Sequence, residues 1–494
     1  MSGLLDKLER AGNRLPDPSV LFIAGALFIV LLAELAVGLQ WQAVRWLGPD
    51  QSELVFARSV LQGDGVWWWL STMVQNFIQF PPLGIVLVGM LGIGLAERCG
   101  LLPALICAAG NAIQDKYLIP ATLFIGVMSS LAMDAGYVVL PPLAATLFMA
   151  AGRSPILGIV TSFAGVSAGF GANLLITSID PLLAGFTQSA AQIITPDYQV
   201  AVTSNWWFMA ASTIMLTFSG WAITQYWVAP RTERLAFNAQ AAEPLLQLSG
   251  EQRSALRWAA VAFIVALLAA VIATLWSEGP LHGMGKHFPR WVEATVPLLF
   301  LLFLIPGVVY GLRVGSIRSS KDAAGFMGST LADLGPYIVL AFFAAQFIAI
   351  FKYTHLGEML ALTGGAWLAG MELNVFVLLC AFVLLVCLGN LLIGSMSAKY
   401  AFYAPVFVPM LMQAGVSPEL TQVVYRIGDS VTNVITPFNP YMIIILALLQ
   451  KYHRQAGVGT LISLTLPYSV GFLLAWMLLL LCWLVLALPL GPSA

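Results

Sequence analysis

A few ionisable side chains lie inside segments that are otherwise apolar. Arg426 and Asp429 are three positions apart, so on a helix they share one face and can form an ion pair. Asp180 follows a second apolar segment, while Asp134 and Lys399 each stand beside a run of small and hydroxyl-bearing residues. A charge inside a bilayer costs at least about 2.5–3.5 kcal/mol, so each of these groups needs a partner or a functional role.

Arg426 has two interpretations. A guanidinium binds a carboxylate through two parallel hydrogen bonds and stays protonated at any cellular pH, so Arg426 can receive a substrate carboxylate. Alternatively, Arg426 neutralises Asp429. Asp180 and Asp429 are in turn candidates for coupling to protons or Na+, since burial and a nearby cation shift the proton affinity of a carboxyl in opposite directions. Alternatively, Asp180 and Asp429 have a structural role and hold the interrupted helices in place.

Neutral polar side chains accumulate in the same two regions. Their oxygen and amide groups suit Na+ or a substrate head group held by helix ends, or else hydrogen bonds between helices. These residues are Asn173, Thr177, Asn433, Thr436 and Asn439. A bound Na+ would be expected near Asn173, Asp180 and Asn433. No other cofactor and no metal is expected, because the histidines have no third ligand at metal-binding spacing.

The composition identifies the environment of these groups. Of the 494 residues 60% are hydrophobic and 9% are charged, and the net charge is -1. Soluble globular chains have about 25% charged residues, so a water-soluble enzyme and a disordered chain are both excluded. Nothing indicates a nucleic-acid partner. The lipid bilayer is the expected surrounding of a polytopic membrane protein.

Long apolar runs predict an all-α membrane protein with about nine spans. Basic residues flank several of these runs, and placing them on one side predicts a cytoplasmic N-terminus. The clearest runs are residues 20–39, 83–96, 206–229, 258–276, 294–312, 337–351 and 461–488.

Two Gly-, Pro- and Ser-rich regions match one another. Seven residues of the first region are identical to the residues 263 positions further along the chain. Two of these pairs are Tyr137 with Tyr400 and Pro142 with Pro405. In the other five, Met149, Ala151, Gly152, Ser154 and Pro155 match, in that order, Met412, Ala414, Gly415, Ser417 and Pro418. Shared interruptions in two halves are typical of transporters built from structural repeats. Counting spans predicts inverted repeats of the kind found in elevator-type transporters.

The repeat suggests four parts. Each repeat is expected to contain a re-entrant hairpin, turning near Ser130 to Gly136 or near Gly394 to Lys399, and then a broken helix, interrupted at Ile176 to Pro181 or at Thr436 to Pro440. The expected parts are residues 1–79 (leader, first span and periplasmic segment), 80–229 (first repeat: hairpin 118–151, broken helix 155–192), 230–333 (cytoplasmic linker and scaffold spans) and 334–494 (second repeat: hairpin 374–413, broken helix 418–450, last span).

Three segments carry a resemblance to a known family. LERAGNRLPDPSVLFI, GSMSAKYAFYAPVFVPMLMQAGVSPE and YRIGDSVTNVITPFNPY look like the aminobenzoyl-glutamate transporter (AbgT) family, and the likeness extends over essentially the whole chain. The resemblance implies a dimeric inner-membrane transporter with about nine spans and two hairpins, related in architecture to sodium-coupled dicarboxylate symporters. It also implies p-aminobenzoyl-glutamate as a substrate, or export of sulfonamide antimetabolites.

The resemblance also implies a central site. Carried over by position, that site consists of Asp180, Ser397, Tyr400, Pro418, Arg426, Asp429 and Pro437. The family usually has Trp where this chain has Tyr400, which keeps an aromatic face and adds a hydroxyl.

Three functions are compatible with these features. The first is a secondary transporter of aromatic amides or sulfonamides, driven by a proton or Na+ gradient and working as a homodimer. The second is sodium-coupled uptake of a dicarboxylate. The third is an intramembrane enzyme with Asp180 and Asp429 as an acid/base pair, which the repeat disfavours because catalysis gives no reason for two half-sites.

Overall fold

The computed structural model describes residues 18–48, 51–111, 113–132, 135–238, 248–391, 393–436 and 438–492. Helices account for 74% of the chain, which confirms the predicted helical class. The first half contains α1 (Pro18–Gly38), α2 (Gly65–Ile78), α3 (Pro81–Arg98), α4 (Leu101–Asn111), α5 (Leu118–Met128), α6 (Ala135–Ala150), α7 (Pro155–Ala168), α8 (Ile179–Ala191) and α9 (Trp206–Ile223, continued by a π-turn at Thr224–Val228 and by Ala229–Thr232).

The rest of the chain continues in the same manner. It contains α10 (Gly250–Leu275), α11 (Thr295–Val314), α12 (Ser320–Asp333), α13 (Gly335–Tyr353), α14 (Leu356–Gly370), α15 (Val375–Asn390), α16 (Met396–Gln413), α17 (Pro418–Asn433), α18 (Met442–Tyr452) and α19 (Val458–Val485). Short 3₁₀ turns at Asp115–Tyr117 and Ser129–Ala132 and a short helix at Arg290–Glu293 complete the elements.

A small β-hairpin follows α1. Strands β1 (Gln42–Gly48) and β2 (Gln51–Phe56) pair antiparallel, with Val44 opposite Leu54. The prediction of an all-α chain is wrong here, because the segment alternates between buried Ala43 and exposed Val44, which is the period of a strand.

Among the described residues, seven helices are long and apolar enough to cross a bilayer. Each of the seven apolar runs predicted from the sequence overlaps one of them and extends beyond its ends by at most three residues. The shorter apolar helices include α6, α7, α15 and α18, which are the hairpin arms and half-helices of the two repeated regions.

The two halves contain the same elements in the same order. Helices α2 to α9 correspond one by one to α12 to α19, so the correspondence begins before the expected starts at residues 80 and 334. α5 packs on α7, and its counterpart α15 packs on α17. Gly152 (φ 71°) and Gly415 (φ 82°), which are related by the repeat offset, both adopt the left-handed conformation that ends a hairpin.

Contacts at the helix ends show that α13 runs antiparallel to the α2–α3 segment. Arg98, the last residue of α3, pairs with Asp333, which immediately precedes α13. At the opposite end of α13, Tyr353 stacks on Trp68 from the start of α2, with ring centroids 3.8 Å apart.

Both hairpins turn close to the predicted positions. The first turn includes Ser129–Ala132, and Asp134 lies outside the described residues. In the second, α15 ends at Asn390 and α16 already begins at Met396, so Ser397 and Lys399 are helical rather than part of the turn. The reason is the cap: the Ser395 hydroxyl accepts a hydrogen bond from the Ala398 amide at 3.4 Å.

The two helix interruptions are also present. α7 ends at Ala168 and α8 begins at Ile179, so the first interruption starts earlier than the predicted Ile176, at Gly169. Pro181 does not lie in it, because Pro is compatible with the first turn of a helix and Pro181 sits in the first turn of α8. The second interruption separates Asn433 from Met442 and includes the described part of the predicted segment.

Equivalent glycines allow the close packing of each core helix on its hairpin. A Cβ on Gly165 of α7 would lie 2.9 Å from the Leu123 carbonyl oxygen of α5. A Cβ on Gly428 of α17 would lie 2.7 Å from the Val383 carbonyl oxygen of α15. Small residues at helix contacts let two backbones approach, which is the main source of packing energy inside a bilayer.

We expect Gly428→Ala to destabilise the protein although alanine is the better helix former. The added methyl group meets backbone rather than a flexible side chain, and overpacking of this kind costs about 1–3 kcal/mol. The measurement is the melting temperature of the protein in detergent.

Gly325→Ala in α12 is the matched control, because nothing lies within 4 Å of its added Cβ. It should keep or slightly raise the melting temperature. Equal effects of the two substitutions would contradict this account of the packing.

Candidate functional site

Helix α17 supplies most of the polar groups of the site. Every residue of α17 except Leu420 is buried. The Ser417 hydroxyl caps its first turn by accepting a hydrogen bond from the Leu420 amide at 3.2 Å, and Pro418 occupies the first helical position. Pro418 therefore starts the helix and does not line the central cavity described below. Pro437, also expected in the site, lies outside the described residues.

Arg426 joins the two halves of the molecule. Its Nη1 donates to Asp180 Oδ1 at 2.6 Å. Its Nε and Nη2 both donate to the Gly171 carbonyl oxygen, at 3.1 and 2.8 Å. The proposed pairing of Arg426 with Asp429 is therefore wrong: the side chain reaches across to the interruption between α7 and α8. Its guanidinium is 1% exposed and is engaged by protein acceptors in this conformation.

Asp429 pairs with Lys399 instead. Lys399 Nζ lies 2.6 Å from Asp429 Oδ1 and donates to Asn390 Oδ1 at 2.5 Å. Both charged side chains are fully buried, so neither extends to the membrane interface. An isolated charge is costly in a low-dielectric interior, and the carboxylate of α17 offers the Lys399 ammonium a nearby partner of opposite sign.

Asn390 organises the cluster around this second ion pair. Its Nδ2 lies within hydrogen-bond distance of the Asp429 carbonyl oxygen and of Asn433 Oδ1, both at 2.8 Å. Asn433 Nδ2 in turn donates to Asp429 Oδ2 at 3.2 Å. The Tyr425 hydroxyl donates to the Met396 carbonyl oxygen at 2.6 Å. Asp180 and Asp429 thus each have their own cation.

The polar residues of the first interruption form hydrogen bonds with other residues of the first half. Thr177 donates to Asp180 Oδ2 through its amide at 2.7 Å and through its hydroxyl at 2.9 Å, so both carboxylate oxygens are satisfied. Asn173 Nδ2 donates to Ser130 Oγ at 2.9 Å, and Asn173 Oδ1 accepts from the Leu175 amide at 2.9 Å. Asn173 thus fastens the interruption to the first hairpin turn.

The second interruption is held in a similar way. Asn439 Nδ2 donates to the Asn433 carbonyl oxygen at 2.9 Å and to Ser167 Oγ of α7 at 3.1 Å. The Thr436 hydroxyl lies 3.4 Å from the Phe438 amide. Asn439 therefore links the unwound segment of one half to the core helix of the other.

Tyr400 does not face the cavity. Its side chain is completely buried against Tyr425, with ring centroids 4.2 Å apart, and its hydroxyl lies 2.7 Å from Thr187 Oγ1. Ser397, by contrast, does line the cavity. The ring-binding role that the resemblance implies for Tyr400 would require a different conformation.

A cavity of about 540 Å³ lies where the second hairpin turn meets both interruptions. This volume is in the range of small-molecule sites. Tyr137 and Tyr441 form one wall, stacked at 4.2 Å between ring centroids. The other lining residues include Phe170, Leu182, Tyr337 and Phe438 on the apolar side and Ser178, Ser395, Ser397, Asn433 and Asn439 on the polar side.

Three helices direct their amino ends at this cavity. The residues that precede α8, α16 and α18 are Ser178, Ser395 and Tyr441, and all three line it. The amino end of a helix carries a partial positive charge and unpaired N–H groups, which together favour anions. The arrangement can therefore bind a small anion with an aromatic part.

Sequence reasoning identified the charged residues but missed several of their partners. Asn390 ends the apolar helix α15, and a single amide in such a helix was a usable signal. Gly171 contributes a carbonyl oxygen, which no side-chain pattern reveals. Tyr441 was outside every proposed set, although it stacks on Tyr137 across the two halves.

This fold is that of a membrane transporter family. Residues 3–494 match the family described as "AbgT putative transporter family", and the chain belongs to it.

Named relatives agree with this assignment. The p-aminobenzoyl-glutamate transport protein of Escherichia coli is 36% identical over 489 residues, which cover 98% of this chain and 95% of the relative. The crystal structure of the Alcanivorax borkumensis YdaH transporter has 41% identity and a TM-score of 0.91, covering 97% of this chain and 100% of that one. Neisseria gonorrhoeae MtrF, described as illuminating a class of antimetabolite efflux pumps, has 40% identity and a TM-score of 0.92, covering 99% of this chain and 100% of that one.

We expect Arg426→Met and Asp180→Asn to be strongly non-additive. Each single substitution leaves a buried polar or charged partner unsatisfied, at a cost of about 3–5 kcal/mol for a buried ion pair. The double variant removes both charges and should be less destabilised than the sum of the two. Chemical unfolding of the detergent-solubilised protein gives the three free energies.

Arg153→Met is the control, since its partner Glu233 is 52% exposed. An exposed ion pair contributes less than about 1 kcal/mol. Strict additivity of the Arg426 and Asp180 substitutions would show that their contact is energetically irrelevant.

Proposed function

We propose that the chain is a secondary active transporter of aromatic amides or sulfonamides, with p-aminobenzoyl-glutamate and sulfonamide antimetabolites as the compound classes to test. The observation that carries this proposal is the 540 Å³ cavity, which combines aromatic walls with the amino ends of three helices. Aromatic rings can pack on Tyr137 and Tyr441, while carboxylates are favoured at the helix ends. The names of the E. coli relative and of MtrF support the same classes.

The geometry favours protons over Na+ as the coupling ion. The predicted Na+ ligands do not form one site: Asp180 accepts from Arg426 and Thr177, and Asn433 belongs to the cluster around Lys399. Asn173 Oδ1 is engaged by the Leu175 amide. Both buried carboxylates are neutralised by protein cations, and a carboxylate whose partner moves away changes its proton affinity.

The architecture supports transport by alternating access. The correspondence of α2–α9 with α12–α19, and the antiparallel contacts of α13 with α2 and α3, support an inverted repeat. In an elevator-type mechanism the hairpins and interrupted helices would move against α1, α3, α11 and α13. The homodimer expected for this scaffold remains a prediction.

Surface charge supports an inner-membrane protein with a cytoplasmic N-terminus. His453 Nδ1 lies 3.0 Å from the Ala236 carbonyl oxygen, and Arg153 pairs with Glu233 at 3.4 Å. The described residues 231–238 and the basic segment 451–454 therefore share one face, which is cytoplasmic by the positive-inside rule.

We expect purified protein in liposomes to exchange radiolabelled p-aminobenzoyl-glutamate for unlabelled compound. An imposed pH gradient should drive accumulation, and a Na+ gradient alone should not. Exchange without accumulation under either gradient would contradict coupled transport, and absence of exchange would exclude this substrate.

Ser178→Asp tests whether the helix amino ends bind a carboxylate. Asp is a good residue at this helix position, so folding should be preserved, but its charge opposes a substrate anion in the cavity. We expect the Kd for p-aminobenzoyl-glutamate to rise about tenfold or more, which corresponds to about 1.4 kcal/mol.

The neutral isostere Ser178→Asn is the matched control and should bind nearly as the parent does. The neutral compound p-aminobenzamide should bind both variants alike. Equal affinity of the Asp and Asn variants for the glutamate conjugate would place its carboxylates elsewhere.

A further inference from the structure

One face of α17 carries a continuous polar row. The spacing alternates between three and four residues, which keeps all its members on one side of a helix. The members are Glu419, Gln422, Arg426, Asp429 and Asn433, and all five are buried. At 1.5 Å per residue the row extends over about 21 Å, most of the apolar thickness of a bilayer.

The two ends of this polar row border two different cavities. Asn433 lines the central cavity. Glu419 lines a second cavity of about 590 Å³ at the other end of α17, together with Tyr198, Ser417 and residues of the C-terminal segment such as Trp483 and Pro489. In the proposed orientation this second cavity lies on the outer side of the membrane.

Glu419 is a carboxyl group that does not line the central cavity. Its side chain is 8% exposed. The Tyr198 hydroxyl, from the loop between α8 and α9, lies 3.1 Å from both of its carboxylate oxygens. Burial and the Glu419 charge raise the pKa of the Tyr198 phenol, so this hydroxyl keeps its proton and donates a hydrogen bond to the carboxylate.

The middle of the polar row has hydroxyl groups and unpaired polar atoms. Thr187 Oγ1 lies 2.7 Å from Gln422 Oε1 and 2.7 Å from the Tyr400 hydroxyl. Within the described part of the chain, Gln422 Nε2, Asn205 Oδ1 and Ser204 Oγ are buried and have no hydrogen-bond partner. Asn205 also donates to the Glu419 carbonyl oxygen at 3.0 Å, which places it beside the start of the row. Buried polar atoms of this kind bind ordered water.

We propose that the polar row of α17 is a proton path, with Glu419 as its outer titratable group and the ion pairs of Arg426 and Asp429 as its inner end. This inference rests on the proposed proton-coupled transport. Within the described residues, the titratable side chains that face the row from neighbouring elements are Tyr198, Asp180, Tyr400, Lys399 and Cys387.

The proton transfer conserves charge at each step. Glu419 forms an O–H bond with a proton from the outer solution and breaks it when that proton passes to water beside Gln422. Water and the hydroxyls of Thr187 and Tyr400 each accept one proton as they release another. The final acceptor is the carboxylate of Asp180 or Asp429 once a conformational change separates it from its cation.

Glu419→Gln separates proton coupling from substrate binding. The full-length protein is placed in liposomes containing a pH-sensitive dye, and two quantities are measured with p-aminobenzoyl-glutamate: exchange at equal pH, and accumulation with dye response under a pH gradient. We expect exchange within twofold of the parent and accumulation at least tenfold lower. Glu419→Asp, which keeps the carboxylate, should retain most of the accumulation.

Gln422→Leu removes the polar link without a charge change and should reduce accumulation while sparing exchange. It also provides the test if Glu419→Gln fails to fold. Glu53→Gln on the β-hairpin, where the side chain is 56% exposed, is the control and should behave as the parent.

Parent-like accumulation in Glu419→Gln would overturn the proton path, as would a parallel loss of exchange and accumulation. For a variant that does not fold, the same criteria apply to Gln422→Leu. A parent protein that exchanges substrate but ignores the pH gradient would instead refute the proposed proton coupling. A parent that does not exchange at all would refute the proposed substrate.

Discussion

The structure depends on the need to neutralise three charges on or beside one buried helix. α17 places Arg426 and Asp429 away from both water and lipid, and Lys399 of the neighbouring α16 has no exposed surface. Such groups are stable only with partners at hydrogen-bond distance, because a charge without one is expelled or neutralised. The interruption of the first half supplies Asp180 and the Gly171 carbonyl, so the two halves are joined by electrostatics as well as by packing.

The cavity is related to a similar requirement, namely that buried polar groups need hydrogen-bond partners. Unwound backbone at 169–178, 434–436 and 438–441 leaves N–H and C=O groups without helical partners, and membrane lipid cannot satisfy them. Asn173, Asn439 and the capping serines satisfy part of this need. Several residues of the unwound segments line the cavity, where a polar ligand can supply further hydrogen bonds. Binding and structural stability thus draw on one set of groups.

The sequence allowed the helical class, the seven clearest spans and the matching interruptions to be predicted, because hydropathy and Gly/Pro spacing are local properties. Partners were not predictable in the same way. Arg426 and Asp429 are close on one helix face, yet each pairs with a residue from another element. Position along the chain does not encode which of two nearby carboxylates a guanidinium reaches. Pro181 shows that a single residue type can also mislead: proline is compatible with the first turn of a helix as well as with an interruption, so its presence alone did not locate the break.

The two halves share their elements but not their charges, and this asymmetry has an evolutionary consequence. The second half contributes Lys399, Arg426 and Asp429, whereas the ion pair across the centre needs only Asp180 from the first. If the halves arose by duplication of an ancestral gene, they have since specialised: the second supplies the central cation, Arg426, and the first supplies its carboxylate, Asp180. A chimaera assembled from two copies of either half would bring like charges together, so neither copy can now replace its sibling.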